Sequence, residues 1–536
     1  MTAGALYQIK KLNTNSENNF LDYDPQITFF KVVYRKHTRY ATENLQFDPF
    51  NRQTLDFENN VTLKCSVPRL GDLLSQVYFT FDLPDIWSGK YGDSSNGVNY
   101  EFQWIKNLGL NIFNYVSVKI SDQEIERMYS DYMVIWRELM MSDERKNIYN
   151  QQIGNVPELY DPANGEGMSG NYPNITSSGT TTVQSTKWVN QASKVIQFSE
   201  KTSYTLPSII GRKLRVPLLF WFCNDPGLAL PLIALQYSVV SFELEMKPFR
   251  DLYTIKDVNN GNINSDTSVD TSFGKRIKPT TNSIYAMSNF TDNYIYNINP
   301  RMEAEFVFLD DEERRRFAVN DHDYLITQAR LTEKYGVEIP QTREETMAKL
   351  VPAFNPVSYI TWVIKRNDLQ HVNDWNNYTN WVYEDIPPYS YENELREVKF
   401  NMSQGASVFY NKSITTHMSK FELDSLKKNI LTNVRIEFDG NNRINKRAEY
   451  FSKEQVYQYF KTNPKDGIYV YSFSLNPKDY QPSGSCNFSL INYPRIYFSR
   501  NTLENFSFYN HRAYIYIVSY NILSISNGIG STKFTN

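Results

Sequence analysis

Five histidines, at 37, 322, 371, 417 and 511, and three cysteines, Cys65, Cys223 and Cys486, are the side chains from which a metal centre or an activated nucleophile would be built. No histidine belongs to an HExxH pair, and none stands near a cysteine at zinc-ligand spacing. Asp321-His322-Asp323 is the one local acid–histidine cluster. Adjacent residues of a strand point to opposite faces, so this trio is a poor ligand set and reads as a hydrogen-bonded connector. Gly167-Met168-Ser169-Gly170 lacks the spacing of a nucleophile elbow. Gly528-Ile529-Gly530-Ser531-Thr532-Lys533 lacks the full phosphate-loop pattern and reads as a terminal turn. No pair among the many carboxylates stands out as a glycosidase acid and base. The sequence therefore nominates no catalytic residue, no cofactor-binding residue and no metal ligand, and a protein without enzymatic activity is expected.

Two patterns suit binding instead. Lys31–Tyr40 interleaves basic and aromatic residues, as a single-stranded nucleic-acid groove would. It reads better as a strand with one exposed basic face, suited also to anionic lipid or an acidic partner. Trp188, Trp375 and Trp381 are the stacking platforms that a carbohydrate-binding jelly roll, the alternative reading, would use. With 56 basic and 59 acidic residues the formal charge is -3, which gives no field for wrapping nucleic acid and suits dense packing against further copies.

The elements that would carry these residues read as mostly strands. The chain has 536 residues, 41% apolar and 15% aromatic, with 39 Tyr and 33 Phe. That length predicts two or three cores, and the aromatic excess favours an all-β class. Three distant cysteines make no disulfide framework and fit assembly in a reducing compartment. No signal peptide or ~20-residue apolar span is evident. Sequons occur, for example at Asn174, Asn289, Asn377, Asn411 and Asn505, and in so Asn-rich a chain without a signal peptide chance explains most of them.

Residues 1–23 read as a polar arm. In Asp24–Thr42, Asp24-Pro25 is a helix-start pair, Ile27, Phe30 and Tyr34 recur at about helical spacing, and from Val32 the text turns strand-like. Strands are predicted over Thr54–Val67, Ser75–Leu83, Tyr115–Ile120, Lys213–Cys223, Leu230–Met246 and Phe306–Leu309, and helices over Glu124–Met141 and in the charged run Asp310–Phe317. In that run Asp310–Arg314, Asp311–Arg315 and Glu312–Arg316 are spaced to pair. Residues 150–205 and 255–300 read as long irregular excursions.

The chain then begins again. Val357–Lys365 repeats Ser75–Leu83, and Val434–Phe438, a polar turn at Asp439–Asn442 and a helical run Ala448–Phe460 repeat the unit at 115–141. Tyr471–Phe473 with Asn476-Pro477 repeats Phe220–Phe222 with Asp225-Pro226. Val434 follows Val116 by 318 positions but Pro477 follows Pro226 by only 251, so one copy carries a large extra loop. A duplicated all-β unit with a helix after a middle strand suits a jelly roll.

Five separated segments carry a resemblance: DPQITFFKVVYRKHT at 24–38, PLIALQYSVVSFELEM at 231–246, FVFLDDEERRRFA at 306–318, YSFSLNPKDYQPSGSCNFS at 471–489 and NILSISNGIGSTKF at 521–534. They resemble, in order, segments of the major capsid proteins of nucleocytoplasmic large DNA viruses. The resemblance implies two tandem eight-stranded antiparallel jelly rolls with short inserted helices and long loops, over 24–319 and 320–536. It further implies a homotrimer of pseudo-hexagonal outline tiling an icosahedral capsid, assembled in the host cytoplasm. Neighbouring capsomers and minor capsid and penton proteins are the implied partners, with the internal viral membrane near the N-terminal segment and no direct nucleic acid. The helical part of Asp24–Thr42 is then expected at the base of the capsomer.

Overall fold

The computed structural model describes residues 23–47, 54–84, 100–160, 209–257, 295–340, 344–350, 355–381, 428–500 and 510–534, with a few short pieces between them. Sixteen strands build two eight-stranded units of one design. The first comprises β1 (Tyr40–Phe47), β2 (Val61–Ser66), β3 (Leu73–Asp82), β4 (Phe113–Ile120), β5 (Gln123–Tyr129), β6 (Lys213–Pro217), β7 (Val240–Met246) and β8 (Arg301–Leu309). The second comprises β9 (His322–Leu331), β10 (Glu345–Lys349), β11 (Pro356–Arg366), β12 (Leu431–Phe438), β13 (Asn441–Arg447), β14 (Ile468–Ser472), β15 (Pro494–Arg500) and β16 (His511–Ser526), and a hairpin partner β17 (Ile529–Thr532) follows.

The first unit pairs its strands as β1-β8-β3-β6 and β2-β7-β4-β5; the second pairs β9-β16-β11-β14 and β10-β15-β12-β13. Adding eight to each label turns one order into the other, and every pairing is antiparallel. These are two jelly rolls, each a sandwich of two four-stranded sheets.

The repeat reaches the level of the turn. In the β4–β5 hairpin Tyr115 faces Tyr129, with a bulge between Val118 and Lys119. In the β12–β13 hairpin Asn433 faces Arg447, with a bulge between Ile436 and Glu437, each position 318 further on. Both turns place two successive residues at positive φ, Ser121 and Asp122 in one, Asp439 and Gly440 in the other. That is the tight turn whose twist matches antiparallel strands, and it favours Asp, Asn and Gly.

Alternation explains the cores. β7 reads VSFELEM with every second side chain buried, and β2 reads VTLKCS with Val61, Leu63 and Cys65 inward. Inside the second roll Trp362 lies against Phe451, Tyr469 and Phe498.

Several sequence expectations change. No helix forms after Asp24: its φ is 53°, not the extended value of an N-cap, and residues 25–39 run without regular structure until β1 opens at Tyr40. A single turn of helix with nothing to bury its apolar face against does not repay nucleation. Gln123–Tyr129 is strand β5, so helix α1 covers only Ser130–Met140, followed by α2 (Asp143–Gln152). The equivalent strand β13, of which only Asn441 and Asn442 fell in the predicted turn, also escaped notice. Thr54–Val67 divides into a short strand Thr54–Asp56 and β2, because the Asp56 carboxylate accepts the amides of Glu58 and Asn59. Lys213–Cys223 is strand only to Pro217, after which Trp221–Cys223 is a 3-10 turn. Leu230–Met246 is strand at Leu230–Pro231 and again only from Val240. Residues 450–460 wind as a π-helix.

Helix α3 (Asp311–Val319) joins the rolls. Of the pairs expected there, Glu312–Arg316 forms at 2.5 Å. Asp310 instead caps the helix through the Glu313 amide, and Arg314 turns to Asp72 at 2.9 Å. Most of 150–205 and 255–300 lies outside the described residues, as do Trp188, His417 and Gly167–Gly170.

Candidate functional site

Among the described residues, an extensive constellation of buried polar and aromatic groups forms the seam where the rolls meet. The β9-β16-β11-β14 sheet is covered on both faces. Ile360, Trp362 and Ile364 of β11 face the second roll's own core, whereas Tyr359 and Val363 belong to the core of the first. Helix α1 lies against this outer face. Its Tyr132 ring is 5.4 Å from that of Tyr516, its hydroxyl 3.2 Å from that of Tyr359, and Asp131 receives Lys365 Nζ at 2.6 Å.

Two further contacts close the seam. The segment after β11 enters the first roll: Asn373 Nδ2 donates to the carbonyls of Arg250 and Tyr253, and Asn376 Oδ1 accepts from Asn107 and Asn111. Arg137, 2% exposed, completes this cluster by donating to Asn107 and to Glu138, which Lys146 also contacts. Burial raises the Glu138 carboxyl, but Arg137 and Lys146 outweigh this and hold it ionised. At the other end the β16–β17 hairpin clasps the first roll. Tyr237 N–H donates to the Gly528 carbonyl, Gly530 N–H to Ser238 Oγ, and Gln123 to Thr532. A Cβ on Gly530 would stand 2.7 Å from Leu235. The glycine-rich terminal run is thus a hairpin held in a close approach.

Two buried groups flank this framework. Glu126 on β5 accepts the Trp221 amide at 3.3 Å, and burial pushes its carboxyl up to about 8 despite that bond. His511 is held down at about 4, first by burial and then by Arg500 and Arg366. On the surface of β7, burial works against Glu243 but Lys119 and Tyr115 overcome it and hold the carboxyl at about 2.

The residues singled out for chemistry disperse. His322 stacks on Phe317 and bonds its carbonyl at 2.8 Å, while Asp323 reaches Lys533. His37 is exposed beside the Thr38 carbonyl. His371 ends a 3-10 turn, Asn367–His371. Cys65 and Cys223 are buried in the first core and Cys486 is half-buried. No group of metal-ligating side chains occurs among the described residues, and no described helix is long and apolar enough to cross a membrane. Trp375 donates to the Asp251 carbonyl under Lys247, and Trp381 is buried beneath Lys428. Neither is a sugar platform. Asn377, a sequon residue, is buried and bonded to Thr379 and Trp381, which closes it to modification in the folded chain.

The two ends of the molecule differ. The connections β3–β4, β5–β6 and β7–β8, with β11–β12 in the second roll, are long and share one end. The turns β4–β5 and β12–β13, the start of β1 and the α3 linker share the other. Among the described residues the large exposed apolar side chains lie at this second end, the base, except Ile148, Ile210, Tyr335, Met347 and Tyr457. The extended segment before β1 is its extreme: Phe29 is 87% and Phe30 100% exposed, and Ile27, Val32, Val33 and Tyr34 are similar. Sequence reading missed the seam. Its signal lay in α1, where Val134 and Ile135 lie outside the apolar stripe of Tyr132, Met133 and Trp136 and are buried as well, so the helix is covered on more than one side.

Comparison with known families bears on what such a body is. A family model described as the major capsid protein N-terminus matches residues 28–297, and one described as the large eukaryotic DNA virus major capsid protein matches 313–531. The chain belongs to the major capsid protein family of large eukaryotic DNA viruses. The family's double jelly roll is the fold seen here. The major capsid protein of Phaeocystis pouchetii virus is 28% identical over the whole of both chains, and that of Paramecium bursaria Chlorella virus 1 is 26% identical, again over both in full. In fold, a chain of the PBCV-1 virus capsid superposes with a TM-score of 0.59 at 22% identity, over 95% of this chain and all of that one. The Faustovirus major capsid protein gives 0.60 at 14%, over 96% of this chain and 94% of that one.

Proposed function

We propose that this major capsid protein acts as a structural block without catalytic role, three copies forming a capsomer whose six jelly rolls give a pseudo-hexagonal outline. Such capsomers tile an icosahedral shell, assembled in the host cytoplasm, beside minor capsid and penton proteins and over an internal membrane. The two rolls, over 24–319 and 320–536, are its domains. The observation that carries the reading is the seam: two units of identical topology joined through a shared buried face.

The seam joins the β5–α1 side of roll one to the outer face of the β9-β16-β11-β14 sheet. The matching surfaces at the two extremes remain uncovered in a single chain. On roll two these are β13, with Arg443, Lys446 and Arg447 exposed, and the outward side of the π-helix, where Tyr457 is 83% exposed while Val456 and Phe460 pack on the first roll's core. On roll one it is the outer face of β1-β8-β3-β6, where Arg215 lies 3.6 Å over the Tyr78 ring and pairs with Glu303. Unlike surfaces of this kind meet head to tail and close a ring when the rotation allows. Sedimentation and electron microscopy of the purified chain test this. A trimer with six-fold outline is expected, and a monomer under all assembly conditions would overturn it.

A further inference from the structure

Among the described residues, no other element of the chain covers the segment before β1. Ile27, Phe29, Phe30, Val32, Val33 and Tyr34 are each at least 71% exposed. So dense an exposed apolar run marks an interaction surface in a soluble protein. It is also cationic: Lys31, Arg35, Lys36 and Arg39 stand against the single acid Asp24.

Its reach is fixed at one point. Tyr40 pairs with Leu309, which anchors the arm at the base edge of the first roll. Drawn out fully, its seventeen residues span at most about 55 Å at ~3.3 Å each. A roll end of four strands ~4.8 Å apart and two sheets ~10 Å apart is only about 20–30 Å across. The arm therefore outreaches the roll that bears it.

The base supplies a complementary surface. Tyr237, Val239, Ile529 and Phe534 are exposed there, 48% or more each. Around them Asp122, Asp311 and Asp321 are exposed acids; of the nearby cations Arg314, Arg316 and Lys533 are engaged by Asp72, Glu312 and Asp323, and Arg315 is exposed. The arm's apolar side chains and cations match this pattern of apolar patch and acidic rim.

We propose that residues 23–39 of one copy dock beneath the base of a second copy, their aromatics covering the Tyr237–Ile529 patch and their cations facing its acidic rim. This rests on the trimeric reading and deepens it, naming an exchanged arm as the tie between copies.

Disulfide trapping tests it with the full chain. A Phe30→Cys protein, isotopically light, is mixed with a Tyr237→Cys protein, isotopically heavy, and oxidised. Light–heavy linked dimers are expected, at more than tenfold the yield given by Tyr335→Cys, a site at the opposite end. Arg35→Glu with Lys36→Glu is expected to weaken association about tenfold at low salt, with partial rescue by Asp321→Lys. Circular dichroism should leave these exposed variants unchanged. Trimers that give no light–heavy link overturn the exchanged arm and leave the trimeric reading standing. A full chain that stays monomeric overturns both. Flotation of the unmodified chain with phosphatidylserine vesicles, lost on Phe29→Ala with Phe30→Ala while trimers persist, would assign the arm to a lipid surface and overturn the proposal.

Discussion

The Tyr132 and Tyr359 hydroxyls meet 3.2 Å apart, one on the helix after β5 of the first roll and the other on a central strand of the second. Both are fully enclosed, and burial holds both phenols neutral far above their ordinary range. Tyr132→Phe leaves the Tyr359 hydroxyl without this partner and should cost about 1–3 kcal/mol. The double Phe variant should cost less than the sum of the singles. Urea denaturation of the four proteins measures the coupling, and strict additivity would show that the bond contributes nothing.

The hairpin clasp gives a second expectation. Gly528 has φ +81°, and a Cβ there would stand 2.6 Å from the Tyr237 ring. Gly528→Val should destabilise by about 1–3 kcal/mol through strain and overpacking. Hydrogen exchange at the Tyr237 amide, which donates to the Gly528 carbonyl, should accelerate in that variant while exchange within β12 stays unchanged.

Glu126 predicts a pH dependence of defined sign. Its folded value of about 8 lies above the ordinary 4.5, so the unfolded chain releases this proton first. Its contribution to stability is greatest below pH 4.5, declines as the pH rises towards 8, and is level beyond. Glu126→Gln removes that decline. Unfolding midpoints of the two proteins from pH 4.5 to 9 should therefore diverge in favour of the variant at the alkaline end.

His511 acts in the opposite sense. Its folded value of about 4 lies below the ordinary 6.5, so the unfolded chain takes up the proton first. Stability from this site is complete above pH 6.5 and is lost as the pH falls from 6.5 through 4. His511→Gln should flatten that limb of the acid unfolding curve, and an identical limb in both proteins would remove His511 from the account.

What the sequence disclosed follows from which forces act locally. Period-two alternation in β2, β3 and β7 reports a strand with one face on a core, and the paired turns at 121–122 and 439–442 report a duplicated strand and turn, so both were legible. Strands β5 and β13 were not. β5, QEIERMY, takes its conformation from pairing with β4 and from burial under the second roll, and β13, NNRINKR, is a charged edge strand with almost no apolar pattern. The arm misled because Asp24-Pro25 and the spacing of Ile27, Phe30 and Tyr34 describe a helix that requires a surface to lie on. The seam was hidden for a related reason: Tyr132, Arg137 and Asn376 acquire their roles only when distant segments meet.

The separation of the two ends has a consequence for change over time. Lengthening a connection at the long-loop end costs little, about 0.6 kcal/mol of closure entropy for each doubling, and disturbs no strand register. The same insertion at 121–122 or 439–440 would break a two-residue turn and shift every side chain beyond it to the wrong face. Novelty can therefore accumulate at one pole of the molecule while the strand register set at the other is kept.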